Sequence, residues 1–141
     1  MKRLLQLVLF SFVVTLLPGQ SPGDALFHGK VALTGKIRGH EESLPPEAVR
    51  CANCHEAQSN ERLSRVSAPR LDRSLLLDAR TRRGGPPSRY DQPAFCKLLR
   101  TGVDPAAIVI AREMPIYNLN QTQCAGLWTY LMEKEPADAK H

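Results

Sequence analysis

The residues with the clearest capacity for chemistry are Cys51-Ala52-Asn53-Cys54-His55. Two thiols three positions apart on one helical turn can face the same way, and a histidine directly after the second can bring its ring over the same spot. That set suits covalent capture of a haem. Each thiol S–H adds across one vinyl double bond, and a histidine nitrogen takes one axial position on the iron. The same C-x-x-C core also serves zinc and dithiol chemistry. A zinc site would want a second close cysteine pair, but Cys96 and Cys124 are far apart; a dithiol oxidoreductase would want a βαβ setting, which the pattern does not offer.

A haem iron held by His55 needs a second axial ligand. Met114 stands 59 residues further on, in Arg112-Glu113-Met114-Pro115-Ile116-Tyr117. Pro115 disfavours helical backbone at Met114 and pushes it to an extended conformation, which lets a loop side chain reach inward. Of the other methionines, Met1 falls in a leader-like segment, and Met132 lies late in a helix where packing explains it. A ligating histidine also needs its other ring nitrogen held, usually by a carbonyl. The Pro69 carbonyl, 14 residues after His55, is a candidate; an ordinary loop proline is the alternative. Arg82 and Arg83, in the run Arg80 to Pro87, are candidates to pair with a haem propionate, against the plainer reading of a solvated basic loop. His28 and His40 sit in a glycine-rich stretch and are expected to be solvated.

The 141 residues allow one domain. Lys2 and Arg3 precede an apolar run from Leu4 to Leu17, broken by Pro18 and Gly19; Gly23-Asp24-Ala25 then offers small residues where a signal peptidase reads. Residues 1–25 are therefore expected to be a cleaved signal peptide, the run being short for a membrane span. Residues 26–43 read as an N-terminal arm, 44–135 as the folded domain and 136–141 as a polar tail. The formal net charge of +5 is moderate and scattered. It favours an acidic partner surface and, together with export, argues against nucleic acid; contact with a membrane would come only through partners.

The elements that must position these residues are short. Ser43 before Leu44-Pro45-Pro46-Glu47 predicts a helix running into the cysteine motif. Leu71 to Asp78 reads as a helix capped by Asp72. Asp91 predicts the cap of another helix, with Tyr90 and Phe95 at the hydrophobic-staple positions and Gly102 as its end. Asn120 with Gln123 makes a capping box for the last helix. Cys124, Leu127, Trp128 and Leu131 follow its buried stripe, and Trp128 is expected against the first helix or the haem edge.

CANCH at 51–55, Tyr90-Asp91, RTGVDP at 100–105, MPIY at 114–117 and LWTYL at 127–131 together resemble a class I c-type cytochrome of the small exported bacterial kind. The resemblance implies an all-α, cytochrome c-like fold of three to five short helices and long loops around one covalently bound haem c, with the N- and C-terminal helices crossing. It implies Cys51 and Cys54 as thioether sites, His55 and Met114 as axial ligands, and Pro69, Arg82, Arg83, Tyr90, Tyr117 and Trp128 as candidate supports of the haem pocket. Cys96 and Cys124 lie outside the basic pattern, and an oxidising compartment favours their pairing as a disulfide. The arm before the first helix of the domain is longer than such a protein needs.

The implied function is a periplasmic one-electron carrier, not an enzyme. It would shuttle between a dehydrogenase donor and an oxidase or reductase acceptor, docking on an acidic surface. The alternative is a haem protein that binds a ligand or catalyses a reaction after Met114 is displaced, for which no distal acid–base pair is evident.

Overall fold

The structure is a computed structural model that describes residues 21–56 and 68–134. The apolar leader up to residue 20, the loop 57–67 and the tail from 135 lie outside the described residues. Among the described residues the regular structure is mostly helical, with five helices, one two-stranded sheet and long loops. The expectation of an all-α chain is thus corrected by a small sheet.

Local capping chemistry accounts for most helix starts. Ser21 accepts from the Asp24 amide and caps α1 (Pro22–Phe27). Asp72 caps α3 (Arg73–Leu77), accepting from Leu75 N at 2.8 Å. Asp91 caps α4 (Gln92–Thr101), which stops at Gly102 in the left-handed region, φ 70°. Asn120 and Gln123 close both bonds of a capping box at the head of α5 (Gln121–Glu133). Each such cap satisfies amides that the first helical turn leaves without partners.

Two boundaries differ from expectation. The helix predicted from Ser43 does not form. Ser43 instead bridges Lys36, the Leu44 amide donates to Gly35 O at 2.8 Å, and the prolines lead through a turn. Pro45 and Pro46 disfavour helical backbone at the residues before them, Leu44 and Pro45, and the extended pairing of Ser43 with Lys36 takes the segment instead. Helix α2 is only Ala52–His55, opening at Cys51. The expected cleavage point after Ala25 falls inside α1, so the folded body includes residues from Ser21 onward.

Helix α1 packs on α5 through two glycines. A Cβ on Gly23 would stand 2.1 Å from Gly126 O, so only glycine permits this approach. Around that contact the core gathers Phe27, Leu26, Val49, Phe95, Leu98, Leu99, Tyr117, Leu127 and Leu131, all buried. Cys96 of α4 and Cys124 of α5 are joined as a disulfide with Cα atoms 5.8 Å apart. Strand β1 (Gly35–Lys36) pairs antiparallel with β2 (Ile116–Tyr117), Gly35 opposite Tyr117. No helix among the described residues is long and apolar enough to cross a membrane.

Candidate haem site

An apolar cleft lies between α1, α2, α4 and α5. Its lining includes Cys51, His55, Met114 and Tyr117 together with Phe27, Leu71, Phe95, Leu99, Leu127 and Leu131. Residues far apart in sequence therefore meet at one place, the two candidate axial ligands among them. Cys54, one position before His55, is exposed and carries a free thiol. Apart from the reactive side chains, the walls are hydrocarbon and aromatic. That surface is what a flat apolar prosthetic group would cover.

The orientation of His55 is set by one bond. Its Nδ1 lies 2.7 Å from Pro69 O. A carbonyl only accepts, so Nδ1 carries the proton and donates, which leaves Nε2 with a free lone pair when the ring is neutral. Burial pushes the His55 pKa down, and the charge of Lys134 adds to this, while the bond to Pro69 works in the other direction. The net direction favours the neutral ring, the form able to ligate iron.

The cysteine turn is tied to the methionine side by Tyr117. Its hydroxyl donates to Val49 O at 3.0 Å. Burial raises the Tyr117 pKa far above the ordinary phenol range, so it stays a donor. Burial also pushes the Cys51 thiol up to about 11, with Tyr117 partly offsetting that shift. A thiol so placed is protonated at neutral pH, which disfavours a thiolate redox or zinc role.

A charge cluster closes the site behind His55. Glu56 sits between His28, whose Nε2 is 2.8 Å from Oε2, and Lys134, whose Nζ contacts Oε1. Burial acts to raise the Glu56 pKa, but the bonds from Lys134 and His28 prevail and hold it below the ordinary carboxylate value. The Lys134 ammonium also lies over the Phe27 ring, 4.6 Å from its centroid. His28 Nδ1 is 3.0 Å from Asp24 O, and His40 contacts Arg112. His28, expected to be solvated, is half-buried and engaged by protein groups, whereas His40 is exposed as expected; neither lines the cleft.

Several candidate pocket supports are placed elsewhere. Arg82 directs one guanidinium nitrogen to Leu75 O at 2.6 Å and the other to the Ser88 carbonyl, and it stacks over Tyr90 with its guanidinium carbon 4.9 Å from the ring centroid. Its donors serve the loop, because the turn from Arg80 to Ser88 presents carbonyls at closer range than the cleft. Arg83 is exposed with φ 49°. Tyr90 is buried, and burial raises its pKa to about 12. Trp128 packs on Phe95 of α4, ring centroids 5.5 Å apart, instead of on the first helix. None of these four side chains lines the cleft. The lining residues Phe27, Leu71, Leu99, Leu127 and Leu131 were not singled out as site residues. Their only sequence signal was apolar periodicity, which marks a core and a cofactor wall alike.

The donor set fits a haem. Two axial donors of the right chemistry face one apolar cleft, with thiols on the turn that carries one of them. Compared with known protein families, with curated proteins and with solved structures, the chain matches none.

Proposed function

We propose that this chain is a periplasmic monohaem c-type cytochrome that passes single electrons between redox partner proteins. One observation carries the reading: Cys51, His55 and Met114 share a single apolar cleft, with the His55 ring already turned by Pro69. Cys51 and Cys54 would hold haem c as thioethers, and His55 and Met114 would hold its iron. When bound, the haem supplies a reversible one-electron change between ferrous and ferric iron.

The chain's own residues set the conditions for that change. The Pro69 carbonyl fixes the His55 tautomer and makes the ring a better donor. The thioether of Met114 is soft and favours the ferrous state. The walls formed by Phe27, Phe95, Leu99, Leu127 and Leu131 exclude water and disfavour the additional positive charge of the ferric state. With His55 and Met114 both holding the iron, no substrate would be bound and none transformed. The excess of basic residues on the chain steers it toward an acidic partner through a small, transient contact. Delivery to the periplasm would require cleavage ahead of α1, since that helix belongs to the folded body.

The test is expression in a bacterium that matures c-type cytochromes, followed by oxidised and reduced absorption spectra. Sharp reduced bands that survive denaturation, with a weak far-red ferric band of sulfur ligation, are the expected result. Protein without covalent haem would overturn the reading. Covalent haem without the far-red band would favour an iron open to ligands.

A further inference from the structure

The arm before the cysteine motif packs specifically against the segment carrying Met114. After Met114, β2 pairs with β1: Lys36 stands opposite Ile116 and Gly35 opposite Tyr117, and the Asn118 amide donates to Thr34 O at 2.9 Å. Before Met114, Arg38 reaches out from the same arm. Its two terminal nitrogens donate to Ile110 O at 3.2 Å and Gly102 O at 3.5 Å. His40 contacts Arg112. The arm is itself folded back: Leu44 N donates to Gly35 O, His40 N donates to Ile37 O, and Gly39 turns the chain with φ 84°.

Two glycines make room for this. Gly35 lies so close that a Cβ there would meet Val49 Cγ1 at 3.1 Å and Tyr117 Cδ1 at 3.3 Å. A Cβ on Gly102 would meet Arg38 Nη1 at 2.5 Å. The methionine segment is thus gripped on both sides of Met114 by one stretch of chain, through backbone pairing after it and a half-buried guanidinium before it. Loops commonly open at low free-energy cost, and a cross-brace on both flanks raises that cost.

Resting on the haem reading above, we propose that residues 34–43 form a strap that keeps Met114 presented to the iron, with Arg38 as its positioning residue. Arg38 acts through the Gly102 and Ile110 carbonyls and does not touch the cleft. The strap slows displacement of Met114 by external ligands. An arm longer than a minimal cytochrome c requires therefore has a specific task.

The experiment uses the ferric holoprotein mixed with cyanide, following loss of the far-red band. Arg38→Ala should accelerate cyanide binding on the order of ten-fold or more, as expected for loss of charge-assisted hydrogen bonds. Arg38→Lys should fall between, because an ammonium is a point donor and not a fork. Gly35→Ala, which crowds β1 against Val49 and Tyr117 without touching Arg38, should also accelerate it, and it serves if Arg38→Ala fails to fold. The Leu76→Ala variant, which truncates a buried side chain of α3 that neither lines the cleft nor belongs to the strap, studied at a temperature equally far below its own melting point, controls for general loosening. Cyanide rates in the strap variants equal to wild type, or no higher than in that control, would overturn the strap while leaving covalent haem and the carrier reading intact. Wild-type protein with no covalent haem would overturn both.

Discussion

The two sides of the cleft are built differently. The histidine side is the four-residue helix α2, which buries none of its residues and opens at Cys51 without a side-chain cap. Among the described residues it is held by the His55–Pro69 bond, the Glu56 cluster, the bond from Asn53 Nδ2 to Glu47 O at 2.7 Å and the Tyr117 hydroxyl on Val49 O. The methionine side rests on α4, the disulfide to α5, the sheet and the strap. Among the described residues, the methionine side is braced by regular structure and a disulfide, and the histidine side by a single turn with side-chain bonds. On the proposed reading, the difference teaches that the two cysteines of the motif would do more than attach a cofactor: they would tie the weaker wall to it.

The strongest test of this contrast is Cys51→Ser/Cys54→Ser. The variant should carry no covalent haem and fold poorly by circular dichroism. Residual amide protection should sit in α4 and α5, with the Cys51–Glu56 turn unprotected. Protection spread evenly over both walls would break the comparison. Cys96→Ala/Cys124→Ala should keep its haem but lose about 3 kcal/mol in denaturant unfolding, the scale for a crosslink closing a loop of 28 residues. Met114→Ala should cost about 2 kcal/mol, because the side chain is half-buried. More tellingly, it should keep the covalent haem, lose the far-red band and open the iron to cyanide and carbon monoxide; a variant binding neither would remove Met114 as the ligand.

Tyr117→Phe should cost about 1 kcal/mol by leaving Val49 O unpaired, without loss of haem. The smallest effect is Glu56→Gln, under about 1 kcal/mol at neutral pH, since this partly exposed cluster is screened by solvent. Its pH dependence has a definite sign. Glu56 is held below its ordinary value near 4.5, so its contribution is present above that pH and is lost as pH falls through the lower folded-state value. Urea unfolding across the acid range should show a shallower decline for the glutamine variant than for wild type.

Much of the site was legible because its signals are local. The motif at 51–55 and the Met114-Pro115 pair each make their case within a few residues, and the Pro69 carbonyl was one of two readings at a separation of 14 residues. The structure then places His55 against Pro69, and Met114 and His55 in one cleft. The partners of Arg82 and Trp128 were not legible, because long side chains have several partners in reach. Which one wins depends on the path of the surrounding backbone, here the turn ending at Ser88 and the face of α4 bearing Phe95.

The sequence by itself determined the caps at Asp72, Asp91 and Asn120 and the stop at Gly102. A cap is decided by groups within one turn of each other. Only the tertiary structure decided that residues 43–46 pair and turn instead of forming a helix, that α1 packs on Gly126, and that Arg38 reaches Ile110. A strand of two residues has no periodicity to read, and a glycine contact or a guanidinium bridging distant carbonyls joins positions about a hundred or about seventy residues apart. Such contacts form when the chain closes on itself, and their stability comes from partners that no local window contains.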